Sequence, residues 1–187
     1  YVDSDAAAEG VPLRDIPLDA LRRLILVADN DGHLFAGPLR EALDVHGAHD
    51  DAQILDAVRV AVAGDAVDSL GGLDGELDAE GRNVSGGQRQ RLRLARSLLV
   101  DPEVLILLEP TSAVDAHTES RVAERLAAAR RGRTTVVAST SPLMLEHADQ
   151  VAFVSDGKVK AVGPHRLLWK NAPEYRALVA RDAQEDE

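Results

Sequence analysis

Cysteine is absent from all 187 residues, which excludes disulfides, thiolate metal sites and cysteine nucleophiles and fits a reducing cytoplasm. Long apolar runs are also missing. The longest, RLILVA at 23–28 and VLILL at 104–108, have strand length and fall far short of the ~20 residues that span a bilayer. The opening YVDSDAAAEG is acidic and has no apolar core, so it is not a signal peptide. Methionine occurs once, at Met144, so Tyr1 is not a translation start and the chain is expected to be an excerpt or trimmed product of something longer. Lysine is scarce, with three against eighteen arginines, and alanine and aspartate abound, a bias expected of a GC-rich bacterial genome. Positive charge is in deficit overall. A formal net charge of −11 argues against a nucleic-acid partner, which needs a clustered cationic surface.

Apolar residues make up 45 % of the chain, enough for a globular core. The length suits one domain, or a core domain with a small helical lobe. RRLILVA at 22–28 reads as a strand and DNDGHLF as a loop, while GPLREAL and DDAQILDAVRVAVA carry helical spacing, the second capped by Asp50 or Asp51. From residue 103 the pattern alternates: EVLILL a strand, DAHTESRVAERLAAARR a helix, RTTVVAS a second strand. SPLMLEHA then reads as a short helix, QVAFVSDGKVKAVG as a hairpin turning at Asp156-Gly157, and two helices follow before a polar tail, RDAQEDE, expected to be frayed. Continuous apolar strands between helices imply an α/β sheet covered on both faces.

Two stretches carry chemistry. In VSGGQRQRLRLARSLL, Leu92, Leu94, Ala95, Leu98 and Leu99 form a helical stripe with Arg89, Arg91, Arg93 and Arg96 placed on the other face. Ser85 is a good N-cap, and two glycines behind it leave backbone N–H groups uncovered, the arrangement by which a helix start binds an anion. Taken alone, Ser-Gly-Gly is more often an ordinary capped surface helix. The second stretch is the end of EVLILL, where Glu109 leaves a buried strand and Pro110-Thr111-Ser112 turns the chain. A carboxylate there can act as general base for water, although a strand-end Glu is usually only solvated. His33, His46, His49, His117 and His147 show no paired ligand spacing, so no metal site is expected.

Together, VSGGQRQR, the apolar strand and EPTSAVDAHTE resemble the signature motif, Walker B strand and D-loop of ABC-type nucleotide-binding domains. GVPLRDIPLDALRRLILVADNDGHLFAGPLREAL looks like the family segment from the front sheet through the Q-loop, and DGKVKAVGPHRLLWKNAPEYRALV is similar to the C-terminal stretch of the exporter-type subfamily. The resemblance implies an α/β fold: an incomplete P-loop NTPase-type sheet flanked by helices, with a helical lobe. Its parts would be a front-sheet remnant and Q-loop region at 1–35, a helical lobe ending in the signature helix at 36–100, and an α/β core at 101–187.

The departures from the family are patterned. A Walker A loop, G-x-x-x-x-G-K-S/T, does not occur; Gly157-Lys158-Val159 is a hairpin turn and no substitute. Leu108 occupies the Walker B Asp position and offers no oxygen to Mg²⁺. Asn30 falls at the Q-loop Gln position, and Thr140 at the switch histidine, where it carries no charge. Signature residues Ser85, Gly86, Gly87 and Gln88 and D-loop residues Ser112, Ala113, Val114 and Asp115 look intact. Family members pair head to tail, so the resemblance implies a degenerate half-site in which Glu109 is non-productive, joined to a sound signature lent in trans. ATP and Mg²⁺ would be held mainly by the partner, a second ABC nucleotide-binding domain with intact Walker A and B. A membrane domain would precede this segment, placing the chain at the cytoplasmic face of the cell membrane and leaving the isolated chain inactive. The alternative is a relict or regulatory fragment that pairs with a related ATPase domain without turnover.

Overall fold

The computed structural model describes residues 11–29 and 32–185, with side chains as far as residue 180. Three parallel strands form its centre: β1 (Ile25–Ala28), β4 (Val104–Leu108) and β5 (Thr134–Ala138), in the order β1-β4-β5. Ile25 pairs with Val104, and Leu108 with Ala138, so all three strands run their C-terminal ends to the same edge. The Asn30 position at the exit of β1 lies outside the described residues, as does residue 1–10 of the front segment.

A helix, α1 (Leu18–Leu24), precedes β1 and takes in Arg22, Arg23 and Leu24, which the sequence pattern assigns to the strand. The ladder begins only at Ile25 because its partner strand begins at Val104. Between β1 and β4 the chain forms the short pair β2 (Gly37–Pro38) and β3 (Glu76–Leu77), and the helices α2 (Leu39–Leu43), α3 (Asp51–Val60), α4 (Gly64–Leu70) and α5 (Gly86–Leu99). Asp50 caps α3 through a reciprocal capping box with Gln53. After β4, α6 (Ala116–Ala129) crosses back to β5. The last part comprises α7 (Pro142–Leu145), the hairpin β6 (Val151–Ser155) and β7 (Lys158–Gly163), and helices α8 (His165–Asn171) and α9 (Pro173–Glu185). The hairpin turns at Asp156 and Gly157, both at positive φ, the geometry that a two-residue Asp-Gly loop favours. The tail expected to fray continues α9 to Glu185, since nothing in RDAQE breaks a helix.

One apolar cluster joins α2–α6 to the sheet: Leu105 and Leu107 of β4 pack with Leu92, Leu94 and Ala95 of α5 and with Val122, Ala123 and Leu126 of α6. A second, smaller cluster holds the hairpin against α8 and α9 around Phe153, Tyr175 and Val179. The expectation of a sheet covered on both faces needs correction. Alternation sends Val27, Val104, Ile106, Leu108 and Val136 to the side away from α5 and α6, where Val27 is 58 % and Val136 49 % exposed. Val104 and Ile106 on the same face are half-buried, so its cover is partial.

Candidate functional site

Helix α5 begins at the site. Ser85, in extended conformation, accepts the Gln88 N–H on its hydroxyl oxygen at 3.1 Å, and the Gln88 side chain accepts the Ser85 N–H at 2.9 Å. The capping box thus satisfies two terminal donors and leaves the N–H groups of Gly86 and Gly87 without a partner among the described residues. A Cβ at Gly86 would meet nothing within 4 Å, so this start faces open space. At Gly87 a Cβ would lie 2.7 Å from the Ala113 carbonyl oxygen, so glycine is required for the helix to touch the loop at Ala113. The Gln88 amide also donates to Asp65 of α4 at 3.1 Å.

Arg91 departs from the expected arrangement. It does not lie on a solvent face but is 9 % exposed, donating to the Val62 carbonyl and, through two nitrogens, to Asp65 at 2.5 and 2.9 Å. The reason is positional: Arg91 stands three and four residues before Leu94 and Ala95, on the buried flank, and its charge is matched there by Asp65. The Arg91 guanidinium in turn holds the Asp65 carboxyl below the usual carboxylate range. Arg96 reaches the His33 carbonyl at 2.7 Å, anchoring the segment that follows β1.

At the strand ends, Leu108 pairs with Ala138 and is 41 % exposed on the partly covered face. Glu109 follows at φ 43°, a left-handed conformation uncommon for any residue but glycine, and its N–H donates to the Ala138 carbonyl at 2.9 Å. Its carboxylate accepts from the Ser139 hydroxyl at 3.2 Å. Thr140 is the next residue on, half-buried, ahead of the Ser141 N–H that donates to Ser139 Oγ at 3.2 Å. Adjacent parallel strands therefore bring Leu108, Glu109 and Thr140 to one edge, the C-terminal edge where ligands bind in open α/β sheets.

The segment 110–115, which holds the expected D-loop residues, runs from there to α6. The buried Thr111 hydroxyl donates to Glu119 of α6 at 2.6 Å, and Asp115 caps α6 by accepting the Thr118 N–H at 2.9 Å. That backbone bond is the main reason the Asp115 carboxyl stays below its ordinary range. Gln90, Asp65 and Ser139 were not singled out by sequence reasoning. For Gln90 a signal existed: it lies four residues before Leu94, on the buried side of an otherwise apolar stripe. Asp65 and Ser139 carry no such mark.

The residues present fit phosphate and Mg²⁺ unequally. Two glycine N–H groups without a partner among the described residues, at the start of a 14-residue helix, suit an anionic phosphate. At the strand end, the Leu108 side chain presents only carbon and offers a cation no oxygen. Among the described residues no three His, Asp or Glu side chains converge as a metal-ligand set.

A capped Ser-Gly-Gly helix packed on the loop that leaves a central parallel strand, with Glu109 at that strand's end, defines an ABC-type ATP-binding domain. The family model for the ABC transporter matches residues 5–112, and the chain belongs to that family. Its relatives are exporter ATP-binding/permease proteins. The chain is 36 % identical over 182 residues to the ATP-dependent lipid A-core flippase of Hahella chejuensis, covering 95 % of this chain and 31 % of that protein. It is 38 % identical over 174 residues to the multidrug efflux ATP-binding/permease protein of Mycobacterium bovis, covering 91 % and 14 %. ABC transporter B family member 18 of Arabidopsis thaliana shares 35 % over 178 residues, covering 92 % and 14 %, so similarity crosses kingdoms and carries no bacterial signature. The fold resembles that of a bacterial Atm1-family ABC exporter with ATP bound, with a TM-score of 0.81 and 25 % identity, over 90 % of this chain and 30 % of that one. The chain thus spans about a third or less of the length of these relatives. No helix among the described residues is long and apolar enough to cross a membrane.

Proposed function

We propose that this chain is part of the ATP-binding domain of an exporter and serves as the degenerate half of an asymmetric pair, at the cytoplasmic face of a membrane. Its own half-site does not turn over. Its signature helix and D-loop complete the site of a second ABC domain that supplies the phosphate loop and the Walker B carboxylate. The observation that carries this reading is the contrast between the two ends of one structure: the Leu108 side chain has no oxygen for a cation, while the N–H groups of Gly86 and Gly87 have no partner among the described residues and Gly86 opens onto free space.

Bound MgATP would supply the phosphoryl group and the neutralising cation of the reaction. The work of this chain is to receive charge. The Gly86 and Gly87 N–H groups and the Ser85 hydroxyl would donate to the terminal phosphate held by the partner, and the positive end of α5 would favour its charge. Those donors are fixed by the capping box before any ligand arrives, so no reorganisation is needed when charge develops. Glu109 is held by Ser139, but without a cation ligand at Leu108 it has no activated water to deprotonate.

Single substitutions in the assembled pair test the asymmetry. Gly86→Asp finds room in this chain but sets a carboxylate against the partner's phosphate, a like-charge contact that lowers ATPase turnover by about tenfold to a thousandfold. Glu109→Gln changes turnover much less. A transporter silenced by Glu109→Gln and indifferent to Gly86→Asp overturns the assignment. Alone, the chain gives no heat of MgATP binding on calorimetric titration and releases no phosphate.

A further inference from the structure

We propose that Gln90 is a positioning residue that locks Glu109 and the D-loop to the signature helix, so that the chain presents both to the paired sites as one rigid body. The side chain is 5 % exposed and lies where α5 passes beneath the turn after β4. Its amide nitrogen donates to the Glu109 carbonyl at 3.0 Å and to Ser112 Oγ at 3.1 Å, and its amide oxygen accepts the Ala113 N–H at 2.9 Å. One side chain thus grips three consecutive features: the carbonyl of the left-handed Glu109, the turn at Ser112 and the backbone of Ala113. The peptide that follows Ala113 is held as well, because the Ala113 carbonyl rests against Gly87, where a Cβ would come within 2.7 Å.

The consequence is geometric. Gly87 and Gln90 are one turn apart on α5, and both meet Ala113, so the D-loop cannot shift without moving the start of the signature helix. Glu109 keeps its uncommon φ of 43° partly because its carbonyl is held by a buried donor. Replacing Gln90 by an apolar residue of similar size would take away the side-chain acceptor of the Ala113 N–H and leave the Glu109 carbonyl to the longer bonds from Ser112, at 3.3 and 3.4 Å. The D-loop would then find other partners and lose its fixed relation to α5.

The functional part of this inference rests on the proposed pairing; the clamp itself does not. Both are read in the full-length protein assembled with its partner, comparing wild type with Gln90→Leu and Gln90→Glu. Gln90→Leu speeds amide exchange at Ala113 by about tenfold and leaves exchange in β4 unchanged. The same variant lowers kcat for ATP by about tenfold with KM within about twofold, because alignment and not nucleotide affinity is lost. Gln90→Glu keeps an acceptor for the Ala113 N–H, so Ala113 protection returns to near wild type. Unchanged Ala113 exchange in Gln90→Leu overturns the clamp, and exchange rising equally through β4 and α5 overturns it in favour of plain core packing. Released Ala113 with unchanged kcat shows that the clamp positions nothing the reaction uses. If the wild-type assembly itself has no ATPase activity, the proposed pairing fails, and the exchange measurements still decide the clamp.

Discussion

Gly86 and Gly87 are neighbours with opposite sensitivities. A Cβ at Gly86 enters open space, while one at Gly87 collides with the carbonyl of Ala113, a residue whose N–H is held by Gln90. Gly87→Ala is therefore expected to cost about 1–3 kcal/mol in chemical denaturation, the usual penalty for forcing an extra carbon into a packed contact. Gly86→Ala leaves stability unchanged or slightly raises it, because alanine prefers the helix and nothing obstructs it. Arg130 shows a third kind of residue constraint. It is buried and donates to the carbonyls of Pro102 at 2.7 Å and Thr134 at 3.2 Å, tying the end of α6 to the starts of β4 and β5. Arg130→Met is expected to destabilise by about 1–3 kcal/mol for each carbonyl left without a donor, read from the unfolding midpoint.

The tether between α4 and α5 belongs to the scale of elements. Arg91 joins Asp65 to the carbonyl of Val62, which sits at φ 55° in the α3–α4 connection, an unfavourable conformation for a β-branched residue. Asp65 is held below its ordinary range by Arg91 first, then by the Gln88 amide, with burial acting against both. A carboxyl depressed on folding contributes stability above its unfolded value of about 3.9, and that stability is lost as pH falls through the folded value. Amide protection in α4 and the first turn of α5 is therefore constant from about pH 5 to 8 and falls below about pH 4. Asp65→Asn abolishes this acid step and lowers protection at neutral pH; an acid step that survives the substitution assigns it to another carboxyl.

The whole molecule has one feature that no single element explains. A parallel sheet normally has both faces covered, yet here β1, β4 and β5 leave Val27, Leu108 and Val136 exposed on one side. Apolar patches of that kind drive association in water. The isolated chain is expected to self-associate in sedimentation experiments at micromolar concentration and to bind a hydrophobic dye. Val27→Thr with Val136→Thr reduces both and changes the unfolding midpoint little, since both residues are about half exposed. Dye binding and association that persist in the double variant place the sticky surface elsewhere.

Local patterns in the sequence determined much of this protein. The period of the apolar residues marked α3, α5, α6, β4 and β5, Asp156-Gly157 placed the hairpin turn, and Ser85 with Gln88 three residues on carried the capping box, because these features need only neighbours within a turn or a strand. The missing oxygen at Leu108 was equally legible, since no packing can give leucine a lone pair. What only the tertiary structure decided are the long-range pairings. Gln90 meets Ala113 across 23 residues and Arg91 meets Asp65 across 26, and nothing in the local pattern names those partners. The partly covered sheet face belongs to the same class: a strand's alternation tells which residues share a side, but whether that side is covered depends on where helices far along the chain come to rest.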